Sequence, residues 1–175
     1  MLTTSTTQYT QYIVAAIVEN KPGVLFRVTS LIRRRGYNID SISVGPLEGG
    51  ELARMTIVIN GDEKILEQVV KQLYKLVEVI KLSRLDPDDS VMRELALIKV
   101  HASESKARSD VMNLCSIFRG HVIDVASDSM IMEVTGDPDK IDAFISLMKG
   151  YGIKEIARTG LSALARGSKS VRIEG

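Results

Sequence analysis

The chain has 175 residues, 45% hydrophobic, with 23 basic and 22 acidic side chains, which is apolar content enough for one compact domain or two small ones. A net charge of +1 gives no general field to draw in nucleic acid or an anionic membrane, and no apolar run reaches the roughly 18 residues of a membrane span. With no export-type start at Met1 to Thr7 and a lone Cys115 that cannot close an internal disulfide, the expectation is a cytoplasmic globular protein, with no nucleic-acid and no membrane partner.

Residues 1–11 read as a flexible leader. Gln11 to Val18, rich in Ile, Val and Ala, has the composition of a buried strand. It stops at Asn20-Lys21-Pro22-Gly23, where proline and glycine end the strand, and a helical pattern follows at once. From Val24 to Arg35, the apolar Val24, Leu25, Val28, Leu31 and Ile32 recur at three- and four-residue steps. Gly36 is the expected C-cap. Arg33, Arg34 and Arg35 then lie at the negative end of the helix dipole, and no aromatic residues interleave them to suggest a nucleic-acid patch.

Ile39 to Val44 alternates as a half-buried strand does, and Leu52 to Ile59 is its expected partner across Pro46-Leu47-Glu48-Gly49-Gly50. Gly61-Asp62 opens a second helix with Ile65, Leu66, Val69, Leu73 and Leu76 on one stripe, and Val77 to Leu85 returns as a fourth strand. Strand, helix, strand, strand, helix, strand is the order of a ferredoxin-like sandwich. The acidic, proline-broken stretch after Leu85 marks a linker at 86–92, closing a first domain at 12–85.

The same order recurs beyond it: strand Glu94 to His101, helix Ser105 to Phe118, strands His121 to Ala126 and Ser129 to Thr135, helix Pro138 to Lys149, and a strand from near Gly152. Pro138 behind Asp137 fits a first-turn proline and its cap. The predicted fold is thus α+β, two ferredoxin-like βαββαβ sandwiches in tandem, the second at 93–167. The end of the chain from Leu161 has little periodicity and is expected to be mobile or ordered only by a partner, with 168–175 a tail.

The turn before the first helix is the best candidate site. The first amides of a helix have no intrahelical partner, the dipole there is partly positive, and Gly23 lets a ligand approach the backbone, which suits a small carboxylate. Asn20 adds a side-chain amide able to donate and accept, matching a zwitterionic amino acid. The same residues also make an ordinary capped strand-to-helix turn. No nucleophile–base pair or phosphate-binding loop is visible, and His101, His121 and Cys115 lack ligand spacing, so neither catalysis nor a metal site is expected.

Asn20-Lys21-Pro22-Gly23-Val24-Leu25-Phe26-Arg27-Val28 and Arg35-Gly36-Tyr37-Asn38-Ile39-Asp40-Ser41-Ile42-Ser43-Val44-Gly45 resemble the amino-acid-sensing ACT domain. Together with Arg54-Met55-Thr56-Ile57, Ile117-Phe118-Arg119-Gly120-His121-Val122-Ile123-Asp124-Val125 and Ala157-Arg158-Thr159-Gly160, they resemble the small regulatory subunit of acetolactate synthase over roughly Tyr12 to Gly167. The resemblance implies a non-catalytic subunit with no cofactor of its own, a homodimer through its ACT domains. Its partner is the large catalytic subunit, which is expected to carry thiamine diphosphate, Mg2+ and FAD. It implies feedback inhibition by valine, leucine or isoleucine held at the dimer interface, by Asn20, Gly23, Val24 and Leu25 of one chain and Asn38 and Ile39 of its mate. Phe26 is bulkier than the family pattern leads one to expect, and either narrows the pocket mouth or packs outward. Two other readings are a free-standing amino-acid-sensing regulator of transcription or of another enzyme, and a pure assembly module; the first lacks a spare helix pair for DNA.

Overall fold

The computed structural model describes residues 10–171. The expected leader therefore lies largely outside the described residues, except that 10 and 11 belong to the first strand. By packing, residues 10–91 and 163–171 form one compact unit and 92–162 another.

In the first unit, β1 (Thr10–Glu19) leads to α1 (Val24–Arg34), β2 (Asn38–Pro46), β3 (Leu52–Gly61), α2 (Glu63–Leu73) and β4 (Val79–Leu85). The sheet order is β2-β3-β1-β4, antiparallel throughout. Alternation along the strands turns Val14, Ala16 and Val18 of β1 and Met55, Ile57 and Ile59 of β3 toward the helices. There they meet Val28, Leu31 and Ile32 of α1 and Leu66, Val69 and Leu73 of α2. These are the apolar stripes that the helical spacing predicts. Truncating a fully buried one, such as Ile32→Ala, costs about 2–5 kcal/mol.

The helix ends follow their sequence signals. Asp62 caps α2, its Oδ1 accepting from the Ile65 amide at 2.8 Å. Gly36, at φ +71°, takes the left-handed position just past α1 and donates to the Arg33 carbonyl at 2.9 Å.

In the second unit, β5 (Ser90–His101) is followed by α3 (Ser105–Ile117), β6 (His121–Val125), β7 (Ser129–Gly136), α4 (Pro138–Met148), a 3-10 turn (Lys149–Tyr151) and β8 (Ile153–Arg158), with sheet order β6-β7-β5-β8. Ala96, Ile98, Val100, Met130, Met132 and Val134 pack on Val111 and Cys115 of α3 and on Ile141, Phe144 and Met148 of α4. Burial pushes the Cys115 thiol up, away from the reactive thiolate. Asp137 caps α4 through the Lys140 amide at 2.9 Å, with Pro138 in the first turn.

Two expectations give way here. The linker expected at 86–92 shrinks to the turn at 86–89, because β5 starts at Ser90 instead of near Glu94. That turn is closed by its own acids, with Asp86 Oδ1 accepting from the Asp88 amide at 3.0 Å. The end of the chain, expected to be mobile, is held by the chain itself as far as residue 171. A short β9 (Ser162–Ala165) pairs with β5, the Arg166 amide donates to the Asp89 carbonyl at 2.9 Å, and Lys169 pairs with Asp89 at 2.6 Å. Residues 172–175 lie outside the described residues.

Candidate effector site

The turn between β1 and α1 is fixed at three points. The Asn20 amide donates to the Glu51 carbonyl at 2.8 Å, and Glu19 N–H to the Glu78 carbonyl at 2.9 Å. Arg27, in the first turn and a half of α1, forms an ion pair with Glu78 at 2.8 Å. Gly23 stands as N-cap in the left-handed region, φ +86°, with nothing near the position a Cβ would take.

This places the helix start on the surface. Leu25 and Phe26 are 45% and 73% exposed, and neither of their amides has a hydrogen-bond partner among the described residues. Two free, aligned N–H groups at the positive end of α1 can each donate to a carboxylate. The Phe26 side chain is exposed on the single chain.

The structure changes the part played by two expected residues. Val24 is buried in the core and its amide turns to the Lys21 carbonyl at 3.3 Å, so the amides without a partner among the described residues are those of Gly23, Leu25 and Phe26. The spacing of the apolar positions pointed to a buried Val24, but which amide it would use could not be read from it. Asn20 donates its Nδ2 to the Gly50 carbonyl at 2.8 Å. One of its two Nδ2 hydrogens is engaged by the β2–β3 hairpin, leaving the other to donate and the Oδ1 to accept, from an ammonium group for example.

Asn38 and Ile39 lie elsewhere. Asn38 starts β2 opposite Asn60, whereas the turn follows Glu19, opposite Leu52. Eight residues of β3 separate those registers, about 26 Å at ~3.3 Å per residue. Asn38 Nδ2 lies 3.4 Å from Asp40 Oδ1, which also accepts from Asn60 at 2.6 Å, and Ile39 packs on the core. One chain therefore does not bring all six residues together. β2 is, however, an edge strand of nine residues in the four-stranded sheet.

Among the described residues no group of three or more His, Cys, Asp or Glu is placed to hold a metal, and no helix is long and apolar enough to cross a membrane.

Residues 14–81 match the AHAS small subunit-like ACT domain, and residues 93–167 match the family described as the small subunit of acetolactate synthase. A probable acetolactate synthase small subunit of Archaeoglobus fulgidus is 56% identical over 91% of this chain and 99% of its own length. The acetolactate synthase small subunit of Aquifex aeolicus is 48% identical over 91% of this chain and 83% of its own. The crystal structure of the acetolactate synthase small subunit from Thermotoga maritima superposes with a TM-score of 0.84 at 45% identity, covering 91% and 99% of the two chains. The tandem sandwiches and these likenesses place the chain in the acetolactate synthase small-subunit family, with an ACT domain as its first unit.

Proposed function

We propose that this protein is the regulatory subunit of an acetolactate synthase, without catalysis of its own. It holds a thiamine-diphosphate-, Mg2+- and FAD-dependent large subunit in its active form and relays inhibition by valine or a related branched-chain amino acid. The observation that carries the effector half of this reading is the pair of exposed, unpartnered amides of Leu25 and Phe26 at the start of α1. Charge-assisted bonds from such amides to a carboxylate contribute about 1.5–3 kcal/mol each.

The site is completed by a second copy. Pairing two β2 strands antiparallel about their midpoint, near Ile42, sets Asn38 of one chain beside Pro46 of the other. Pro46 stands opposite Ala53, which in turn stands opposite Val18, two residues before Asn20. The mate's Asn38 and Ile39 thereby reach the turn end of the sheet, where Asn20 and the helix amides wait. An edge strand of nine residues is also the kind of surface that a second chain covers. A ligand bridging two chains shifts catalysis in the partner by its differential affinity for two arrangements of the pair.

The test is to mix the protein with the large subunit of the same cell and follow acetolactate formation with and without valine, leucine or isoleucine. Activation by the protein, relieved by one of the three, is the expected result. No change in rate on adding the protein would overturn the regulatory reading, and no heat with any of the three in calorimetry would overturn the effector half.

A further inference from the structure

Opposite the helices, the first unit carries a second concavity. Ile17 of β1 and Arg54 of β3 stand opposite each other in the register, on the face turned away from Val14, Ala16 and Val18. The returning segment 164–171 borders, on that face, an open cleft of about 950 Å³, within the size range of small-molecule sites. Its apolar lining comes from Ile17, Leu47, Leu52 and Leu164.

Arg54 is the unusual group in it. The guanidinium is part-buried, and its one bond among the described residues is from Nη2 to the Ala163 carbonyl at 2.8 Å. No carboxylate pairs with it among the described residues, although Glu48, exposed on the hairpin, also lines the cleft. Lys169 beside it is already matched by Asp89. Burial pushes the Arg54 guanidinium down from its ordinary value. A smaller cavity shares Ala165, Lys169 and Ser170 with the cleft and reaches Ser90, whose buried Oγ has no partner among the described residues. A half-buried guanidinium in the lining of a partly aliphatic cleft, with one carbonyl as its hydrogen-bond partner among the described residues, suits a bidentate anion.

We propose that this cleft binds a small organic carboxylate on a short aliphatic chain, Arg54 taking the carboxylate and the side chains of Ile17, Leu47 and Leu52 taking the chain. The site is separate from the α1 turn and stands whether or not valine binds there. An amino acid and a simple fatty or 2-oxo acid share this chemistry, and the α-ammonium group distinguishes them.

Isovalerate and valine are titrated into the full chain, by calorimetry and with backbone amide resonances followed by NMR. Saturable isovalerate binding that moves the amides of Arg54, Ser168 and Lys169 is expected. Arg54→Met should weaken it about tenfold or more, and Arg54→Lys should recover part of the loss. Since Arg54→Met also removes the bond to Ala163, Leu164→Trp serves as a second variant: it enlarges a side chain that lines the cleft, leaves that backbone acceptor in place, and should weaken isovalerate binding. If valine alone moves the amides of Arg54, Ser168 and Lys169, the carboxylate is that of an amino acid; the proposal is overturned by any of three results: no saturable binding of either acid, shifts confined to Gly23 through Phe26, or unchanged binding in Leu164→Trp.

Discussion

The Asn20 side chain donates to the Gly50 carbonyl at 2.8 Å, fastening the turn that presents the helix amides to the hairpin that ends the edge strand. Asn20→Ala removes both that tie and the acceptor left for a ligand. Valine affinity should fall about tenfold, while activation of the catalytic subunit is largely kept and the fold loses no more than about 1 kcal/mol. Asn20→Asp keeps an acceptor and adds charge toward an ammonium, so it should bind better than the alanine variant. Calorimetry beside an acetolactate assay separates these outcomes; equal loss of binding and activation in Asn20→Ala would count against distinct roles for the two surfaces.

Gly23 holds φ at +86° with open space around it, so Gly23→Ala meets no clash, only backbone strain. The cost should be about 1–2 kcal/mol, read as a lower urea midpoint with an unchanged slope. Valine binding should fall further than that strain alone explains, because relaxing φ turns the Leu25 and Phe26 amides.

In the second unit, Arg158 clasps the buried Glu94 with two bonds of 2.6 and 2.7 Å and reaches exposed Asp142 at 2.7 Å. Those carboxylates hold the Arg158 guanidinium above its ordinary pKa, Glu94 contributing most. The order of damage follows from burial. Arg158→Met strands Glu94 without its charge partner and should cost about 3 kcal/mol; Glu94→Gln about 1–2; Asp142→Asn, at the surface, under about 0.5. Denaturant unfolding that ranked Asp142→Asn worst would contradict this account.

Acid should release the end of the chain late. Lys169 holds the Asp89 carboxyl below its ordinary 3.8. A depressed pKa stabilises at pH above the unfolded value and is lost as pH falls through the folded one, so the clasp persists from neutral pH down to about 3.8 and opens below it. At the other limit, Asp89 raises Lys169 above 10.5, so the pair survives until pH rises past that value. Backbone amide shifts of Lys169 and Arg166 across a pH titration report the release. A transition near neutrality would contradict the pairing.

The local features of the fold were legible because their causes are local. Asp62 and Asp137 announce their helices by capping an amide three residues on, and the stripes of α1 and α2 follow from periodicity. The start of β5 and the whole of β9 were not. Residues 162–171 are held by contacts remote in sequence, among them the bond of Arg54 to Ala163, 109 residues apart, and of Lys169 to Asp89, 80 apart, and nothing in Ser-Ala-Leu-Ala itself signals either. The site divides the same way. Its free amides were expected from a strand, a glycine and a helix in succession, whereas the diversion of Val24 N–H to Lys21 and of Asn20 to Gly50 depends on how the turn settles on its neighbours.

A site shared by two chains can be tested by complementation. Asn20→Ala breaks the turn half and Asn38→Ala the strand half, so either homodimer has both its sites impaired, while a mixed dimer has one intact site. Equilibrating the two variants and titrating valine should restore full-affinity binding at about a quarter of the wild-type stoichiometry, since half the dimers are mixed and each keeps one site of two. If the mixture binds no better than either variant alone, the residues do not meet across a pair of chains.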